Sequence, residues 1–176
     1  MINIWLFLVS IFVGLILLTL AWSSISLAPF VPARKKDLQR ILRLADLEAG
    51  QNFYELGCGD GRVVIYMTKN SAAKGVGVEI TWPLWLICEL KKIFSRNKKI
   101  NFKFKDLFRE NLSAADVVYF FGMPHSVKSK LQLKLKNELK VGAKVISYSF
   151  ALPGWQPIKV DRPGEEDVPI YLYMIK

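Results

Sequence analysis

The first 33 residues of the chain carry no charged side chain, and this segment constrains the architecture more than any other. The run from Ile4 to Trp22 is nineteen residues long and is interrupted only by Ser10, Gly14 and Thr19. A helix across a bilayer core needs about 20 predominantly apolar residues, and tryptophans such as Trp5 and Trp22 favour the membrane–water interface. So short a chain cannot bury a helix that is apolar all round. The segment therefore predicts a transmembrane anchor within residues 1–28.

A cleaved signal peptide is the alternative interpretation of this segment. Signal peptides begin with a positively charged region and end at a small-residue cleavage site. No Lys or Arg precedes the apolar run, and Ser26-Leu27-Ala28 is only a weak cleavage signature followed by Pro29. An uncleaved anchor is therefore favoured.

Basic residues follow the apolar run directly and predict its orientation. They are Arg34, Lys35, Lys36, Arg40 and Arg43. Positive residues stay on the cytoplasmic side of a membrane. We therefore expect a single-pass protein whose 143 residues from Arg34 onward are cytoplasmic. A basic, Ser-rich transit peptide is absent, which favours a prokaryotic plasma membrane.

The tethered part of the chain is strongly basic. It contains all 25 Lys and Arg and all 15 Asp and Glu, a formal net charge of +10. An anionic leaflet attracts such a domain by about 1 kcal/mol per basic residue near the surface. Nucleic acid is the alternative partner, and residues 91–105, with seven cations and no acid, could form a patch for it. Tethering to a bilayer restricts access to nucleic acid, so the membrane surface is the favoured partner.

Cysteine and histidine are too scarce for several classes of site. Cys58 and Cys88 are the only cysteines and His125 is the only histidine. Two cysteines cannot form a disulfide framework, and the three residues together do not have the spacing of a zinc site. We therefore expect no metal.

The rest of the chain alternates between strand and helix patterns. A basic amphipathic helix is predicted over Arg34–Glu48, within a juxtamembrane segment of residues 29–50. Further helices are predicted from the turn at Gly57–Gly61 to about Asn70, from Thr81 to about Ser95, and over Lys130–Lys140. Asp60 is a possible N-cap of the first of these three helices, and Thr81 of the second. The predicted strands are Asn52–Leu56, Lys74–Glu79, Ile100–Lys105, Asp116–Phe121, Ala143–Phe150, and shorter runs near Pro157–Val160 and Val168–Ile175.

This alternation predicts an α/β domain over residues 51–176. Its sheet is expected to be mostly parallel, with an antiparallel terminal pair. Ligands in such sheets bind beyond the carboxyl ends of the strands. The residues just after each strand are therefore the candidates for function.

A glycine-rich turn, Gly57-Cys58-Gly59-Asp60-Gly61, follows the first predicted strand. Glycines let backbone approach a ligand closely, and the N-terminus of the next helix favours a negative group. The second strand ends 22 residues after Gly57 at Glu79, where an acid can accept hydrogen bonds from both ribose hydroxyls. Asp106 follows the third strand and faces the same crevice. The spacing is not that of the dinucleotide fingerprint, so a nicotinamide cofactor is the weaker alternative.

Together these residues resemble the class I, seven-stranded S-adenosylmethionine-dependent methyltransferases. The segment Tyr54-Glu-Leu-Gly-Cys-Gly-Asp-Gly-Arg62 is similar to their first motif. The resemblance implies a Rossmann-like sheet and S-adenosylmethionine as cofactor. It also implies that Glu55 orients the amino group of the cofactor, that Glu79 binds ribose and that Asp106 lies near adenine. The cofactor-binding residues implied in this way are Glu55, Gly57, Cys58, Gly59, Gly61, Glu79, Ile80, Asp106 and Leu107.

A narrower resemblance covers nearly the whole chain after the anchor. It rests on the segments Pro29-Phe-Val-Pro32, Val78–Leu86, Phe120-Phe-Gly-Met-Pro124 and Phe150-Ala-Leu-Pro-Gly-Trp155. They resemble the membrane-anchored protein-lysine methyltransferases, whose mitochondrial members act on the adenine nucleotide translocase and the c-type subunit of ATP synthase. The chain departs from this family at Glu79-Ile-Thr-Trp-Pro83, where Glu-Leu-Asn-Pro-Trp is expected. The resemblance implies a protein substrate with an accessible lysine near the bilayer.

The residues after the fourth strand argue against two classes of methyltransferase. It reads Phe-Gly-Met-Pro and lacks the Asn/Asp-Pro-Pro-Tyr signature of enzymes that methylate amides and exocyclic amines. No cysteine follows it, so a covalent cytosine mechanism is unsupported. The resemblance implies a substrate channel lined by Phe30, Pro32, Phe121, Met123, Pro124 and Trp155. A methyltransferase for a lipid or quinone, and a non-catalytic membrane scaffold, remain the alternatives.

Overall fold

The computed structural model describes residues 3–14, 31–123 and 130–176. Its centre is a seven-stranded sheet in the order β3-β2-β1-β4-β5-β7-β6. The strands are β1 Asn52–Leu56, β2 Lys74–Glu79, β3 Ile100–Phe104, β4 Val117–Phe121, β5 Lys144–Tyr148, β6 Lys159–Asp161 and β7 Ile170–Met174.

Strand directions agree with the sequence-based prediction. The neighbouring strands β3, β2, β1, β4 and β5 are parallel to one another, and β7 is antiparallel to both β5 and β6. Parallel neighbours need crossover connections, which explains the helices between the strands. The carboxyl ends of β3, β2, β1 and β4 therefore meet along one edge, which we call the site edge.

Five helices belong to the described part of the chain. They are α1 (residues 4–14), α2 Lys35–Ala45, α3 Arg62–Lys69, α4 Trp82–Ser95 and α5 Gln132–Glu138. Helices α2, α3 and α4 pack on one face of the sheet, and α5 packs on the other. The sheet therefore lies between two apolar layers. Phe53 and Ile146 are fully buried in one layer, and Phe120 and Leu135 in the other.

The apolar N-terminal segment is described only in part. Residues 4–14 form a helix whose large apolar side chains, from Ile4 to Val13, are exposed. Among the helices of the described residues, none combines the length and the apolar character needed to cross a bilayer. The rest of the predicted anchor, residues 15–28, lies outside the described residues, as do Phe30, Pro124 and His125.

Several predicted boundaries need correction. Asp60 is not the N-cap of α3, because Gly61 occupies that position and the Asp60 carboxylate pairs with basic side chains instead. Thr81 is the N-cap residue of α4, but its hydroxyl makes no capping hydrogen bond. The strands β3 to β7 are shorter than predicted, because residues at their ends turn away to begin loops. A short 3-10 helix over Leu107–Arg109 was not predicted.

Candidate active site

The glycine-rich turn connects β1 to α3 at the site edge. Gly57, Gly59 and Gly61 have φ angles of 75°, 55° and 73°, a left-handed conformation that favours glycine. The backbone N–H groups of Gly57 and Cys58 donate to the carbonyl of Val78 in β2, at 2.9 and 3.0 Å. The turn is thereby held against the end of the neighbouring strand.

The space beneath the turn is filled by side chains. A Cβ atom at Gly77 in β2 would lie 2.6 Å from the ring of Phe102 and 2.9 Å from the sulfur of Cys58. The Cys88 thiol of α4 donates to the carbonyl of Gly59 at 3.1 Å. Cys58 is therefore a buried packing residue under the turn.

Glu79 occupies the end of β2 and is only 4% exposed. Its two carboxylate oxygens accept hydrogen bonds from the backbone N–H groups of Gly59 and Thr81, both at 2.8 Å. The carboxylate is thus oriented by the turn on one side and by the start of α4 on the other. Each carboxylate oxygen has two acceptor positions, so further acceptor positions remain for hydroxyl donors of a ligand.

The end of β3 lies beside the end of β2. The backbone N–H of Lys105 donates to the carbonyl of Glu79 at 2.9 Å. Asp106 follows and accepts a hydrogen bond from Phe108 N–H at 2.9 Å, which starts the 3-10 helix. Leu107 is buried, whereas Ile80 is half-buried. The structure therefore brings the predicted residues after β2 and β3 to one place.

Glu55 lies in β1 and is buried beneath α3. Its carboxyl group accepts a hydrogen bond from Val64 N–H at 3.1 Å. Burial raises the pKa of Glu55 well above its ordinary value, because it disfavours the charged form of the carboxyl group. In this arrangement the carboxyl group contacts the backbone of α3.

Asp60 forms an ion-pair cluster on the outside of the turn. Its carboxylate accepts from Arg62 at 2.9 Å and from Lys91 of α4 at 2.8 Å. Burial opposes ionisation, but the hydrogen bonds from Arg62 and Lys91 outweigh it and lower the pKa of Asp60 to about 2. Arg62 also donates to the carbonyl of Ala33 at 3.3 Å. The chain just before α2, which includes Pro32, is thus connected to the glycine turn.

Aromatic side chains surround the end of β4. The ring of Phe121 lies 6.3 Å from that of Tyr148 and 6.0 Å from that of Phe150. Met123, two residues further, is exposed. Trp155 does not join this group, because it packs against Tyr173 in the apolar layer on the other face of the sheet. Of the predicted channel residues within the described part, Trp155 therefore lies apart.

A buried network connects α2 to β5. The Tyr148 hydroxyl donates to Asp37 at 2.6 Å, and Asp37 pairs with Arg40 at 2.7 Å. Arg40 also pairs with Asp161 of β6 at 2.5 Å. Burial and the hydrogen bond to Asp37 raise the pKa of Tyr148 to about 12. The network positions α2 next to the aromatic group around Phe121.

Comparison with known families identifies this arrangement. The family model described as the ANTKMT methyltransferase domain matches residues 55–159, which include the glycine turn, Glu79 and Asp106. The chain belongs to this family. It is therefore a methyltransferase whose cofactor is S-adenosylmethionine.

Several proteins with sequences similar to this methyltransferase are named lysine N-methyltransferases. A protein-lysine N-methyltransferase of Saccharolobus islandicus is 35% identical, over 84% of this chain and 93% of the relative. The human lysine N-methyltransferase of the c-type ATP synthase subunit is 31% identical over 81% of this chain. The mouse adenine nucleotide translocase lysine N-methyltransferase is 32% identical over the same share. The matched region spans 60% and 62% of these two longer relatives.

Solved structures support the same fold. The crystal structure of an RNA methyltransferase from Salinibacter ruber, in complex with S-adenosyl-L-homocysteine, has a TM-score of 0.77 and 34% identity. The match covers 82% of this chain and 94% of that one. A putative methyltransferase of Escherichia coli has a TM-score of 0.67 at 13% identity, covers 84% of this chain and 89% of that one, and shows the fold alone.

The residues of this methyltransferase fit the cofactor. The Thr81 hydroxyl, fully buried beside Glu79, has no hydrogen-bond partner among the described residues. An unpaired buried polar group costs about 1–3 kcal/mol, which a polar ligand relieves. Free acceptor positions on Glu79 and an unpaired hydroxyl on Thr81 are a suitable environment for a ribose diol. In the described residues no cluster of His, Cys, Asp and Glu has the geometry to bind a metal ion.

Sequence reasoning missed two parts of this methyltransferase site. The sequence pattern places Tyr148 and Phe150 in a strand and at its end, but their proximity to Phe121 depends on the pairing of β4 with β5. Asp37 is the residue that sequence could have revealed. It lies on the apolar stripe of α2 with Leu38 and Ile41, where a charged side chain signals a buried partner.

Proposed function

We propose that this methyltransferase transfers methyl groups from S-adenosylmethionine to lysine side chains of a membrane-associated protein. The observation that carries the proposal is the match to a lysine methyltransferase over 93% of that relative's length. That match includes both the site edge and the segment around α2. The substrate itself is inferred by this similarity.

The cofactor would be held by the turn and by the ends of β2 and β3. When bound, S-adenosylmethionine supplies a methyl group already activated on a sulfonium. Glu79 would accept hydrogen bonds from the ribose hydroxyls, and the turn from Gly57 to Gly61 would contact the methionine part. Ile80, Asp106 and Leu107 would border the adenine. These roles follow from the family resemblance and from the proximity of the three strand ends.

The substrate lysine would enter beside the aromatic group at the end of β4. The faces of Phe121, Tyr148 and Phe150 suit the apolar stem of a lysine and exclude water from its amine. The reference pKa of lysine is about 10.4, and both desolvation and nearby positive charge lower it. Pro32, which precedes α2, and Met123, which follows β4, would complete the proposed channel.

Proton removal is proposed to need no dedicated base. Burial raises the pKa of Tyr119 and of Glu55 well above their ordinary values, and that of Tyr148 to about 12. The two tyrosines therefore keep their protons at neutral pH, and burial disfavours the charged form of Glu55, so none of the three is proposed as the base. Deprotonation would then depend on the lowered pKa of the substrate amine and on transfer to water.

Membrane anchoring through residues 1–28 is part of the proposal. It is supported by the 33 uncharged N-terminal residues and by the exposed apolar side chains of α1. The basic residues that follow favour a cytoplasmic catalytic domain at an anionic bilayer, with a prokaryotic plasma membrane the favoured location. Such an enzyme would reach lysines close to the membrane surface.

The decisive experiment measures both binding and transfer with the full chain in detergent or nanodiscs. Titration calorimetry with S-adenosylmethionine should show binding that Glu79→Ala weakens at least about 100-fold, about 2.7 kcal/mol. Glu89→Ala is the matched control, because Glu89 lies on α4 and, among the described residues, pairs only with Lys92. Labelled methyl groups should then be incorporated into native membranes and recovered as methyl-lysine after hydrolysis.

Other outcomes would select other functions. Label in the organic extract would indicate a lipid or quinone substrate. Label removed by ribonuclease would indicate RNA, a specific rival because of the similarity to the Salinibacter ruber RNA methyltransferase and the net charge of +10. Binding without any transfer would leave a scaffold with an intact cofactor site. Each of these results would overturn the lysine assignment.

A further inference from the structure

The outer face of α4 is an exposed apolar stripe. Large apolar side chains recur on this helix at i, i+1, i+4, i+7 and i+8, which places them on one side of it. They are Leu86, Ile87, Leu90, Ile93 and Phe94, and all are exposed, Phe94 to 83%. A contiguous patch of this kind marks an interaction surface.

The opposite face of α4 is also apolar. It buries Leu84 and Cys88 against the sheet. A helix that is apolar on both sides at the outside of a domain requires a second apolar environment. Packing against β2 and β3 satisfies only the inner face. The stripe therefore has an energetic reason to be covered.

Unpaired cations surround the end of the stripe. Arg96, Lys98 and Lys99 are exposed and form no ion pair within residues 3–14, 31–123 and 130–176. Nearby cations are neutralised differently, since Lys103 and Lys105 both pair with Glu110. The exposed positive charge next to Ile93 and Phe94 is thus complementary to an anionic surface.

The stripe is continuous with the apolar N-terminal helix. Phe12 of α1 contacts Trp82, the first residue of α4, with ring centroids 6.0 Å apart. The large apolar side chains of α1 on both sides of Phe12 in sequence, from Ile4 to Val13, are exposed. Two apolar surfaces that meet at Trp82, with basic residues at the far end of α4, match an amphipathic surface that enters the headgroup region of a bilayer.

We propose that the outer face of α4 is a second membrane contact, which lays the catalytic domain against an anionic leaflet. The proposal rests on the membrane anchoring proposed above and adds the orientation of the domain. Because α4 begins at Trp82, three residues after Glu79, the carboxyl ends of the strands lie beside the lipid headgroups at one end of the stripe. Arg96, Lys98 and Lys99 bind headgroups at the other end. The substrate channel then faces along the membrane surface.

The test measures the membrane depth of single positions in the full chain. A nitroxide is attached at Phe94→Cys and, as control, at Val141→Cys, which replaces a 78% exposed residue on a loop. Cys58 and Cys88 are buried, and the unsubstituted chain gives their labelling background. In vesicles of phosphatidylcholine and phosphatidylglycerol, position 94 should collide with oxygen more often than position 141. Its collisions with a water-soluble nickel complex should be at least about threefold fewer.

Charge reversal provides the second variant. Lys98→Glu with Lys99→Glu should increase the nickel collisions at position 94 toward those at position 141. Lys136→Glu with Lys159→Glu is the matched control, since both residues are exposed and distant from α4, and it should leave the collisions unchanged. In vesicles of phosphatidylcholine alone, nickel collisions at position 94 of the chain without charge reversal should be as frequent as in the Lys98→Glu, Lys99→Glu variant.

Three results would overturn the proposal, and they are distinguishable. Equal nickel collisions at positions 94 and 141, in a chain that floats with vesicles, would exclude the α4 contact but not the anchor. A short distance between labels at position 94 of two chains would show that a second copy covers the stripe. A chain that does not float with vesicles at all would exclude the anchor and the α4 contact together.

Discussion

The buried carboxyl groups next to the glycine turn, in the half of the sheet formed by β1, β2 and β3, are satisfied differently from the buried carboxyl group of α2, next to the half formed by β5, β6 and β7. In the half formed by β1 to β3, Glu79 and Glu55 accept hydrogen bonds from backbone N–H groups. In the half formed by β5 to β7, Asp37 is satisfied by the side chains of Arg40 and Tyr148. Backbone donors are fixed by the turn itself, whereas side-chain partners must be supplied by another element. The first half is therefore a ligand site prepared by local folding, and the second is an attachment for α2.

The largest expected effect is the loss of stability when the network that attaches α2 to β5 and β6 is broken. Arg40→Ala leaves the buried carboxylate of Asp37 without its cation, and removing one partner of a buried pair costs about 3–5 kcal/mol. We expect that loss in the free energy of unfolding, measured by urea denaturation in mild detergent. Cofactor affinity of the folded variant should change by less than about threefold, because Arg40 does not contact the site edge.

Arg43→Ala is the control for this variant. Arg43 lies on the same helix but is exposed, so its removal should change stability by no more than about 0.5 kcal/mol. Equal effects of Arg40→Ala and Arg43→Ala would contradict the distinction between the halves.

The next effect is expected in the first half. Gly77→Ala inserts a methyl group 2.6 Å from the ring of Phe102 and 2.9 Å from the sulfur of Cys58. Overpacking of this kind costs about 1–3 kcal/mol, and displacement of Cys58 should also weaken cofactor binding. Calorimetric titration and denaturation of one preparation measure both. Gly164→Ala, whose nearest contact would be an ordinary 3.5 Å, should change neither. An unchanged cofactor affinity in Gly77→Ala would show that the packing beneath the glycine turn does not influence cofactor binding.

A smaller effect concerns the pH dependence of stability. Burial raises the folded-state pKa of Glu55 above its unfolded value, so the native state retains a proton that the unfolded chain releases. This group therefore makes stability fall as pH rises above the ordinary carboxyl pKa of about 4.3, until the folded pKa is reached. Glu55→Gln should reduce that fall between pH 5 and pH 7, measured by denaturation at several pH values across about that range. An identical pH profile for both proteins would show that Glu55 is ionised in the folded state.

The smallest effect is expected for Asp60, which is only half-buried. Its pKa of about 2 is below that of the unfolded chain, so its contribution is present above about pH 4 and is lost as pH falls toward 2. Solvent screening limits that contribution to about 1 kcal/mol or less. Asp60→Asn should flatten the acid side of the stability profile, and Glu89→Gln serves as the comparison. A larger loss than that of Arg40→Ala would reverse the order of the two halves.

The same contrast explains what could be predicted from the sequence. The turn and Glu79 are local features of strand–turn–helix segments, and their positions follow from spacing within about 25 residues. The Asp37–Tyr148 contact joins residues separated by 111 positions, and no local pattern specifies it. Trp155 shows the same limit, because a turn residue near the predicted channel can pack on either face of the sheet. The sequence also did not predict that the Thr81 hydroxyl is unpaired among the described residues, because the pattern favoured it as a helix cap.

In the anchored enzyme proposed above, the hydrogen bond from Arg62 to the carbonyl of Ala33 would limit the length of the tether. Arg62 is the first residue of α3, so the chain leaves the catalytic domain beside the cofactor turn. In such an enzyme, this contact would fix the distance between the bilayer and the active site. The chain between the end of the apolar segment and the catalytic domain would then be short. The transferred methyl group would therefore stay at a nearly constant distance from the bilayer surface. Under this proposal, a target lysine would be selected by its height above the membrane as much as by the residues around it.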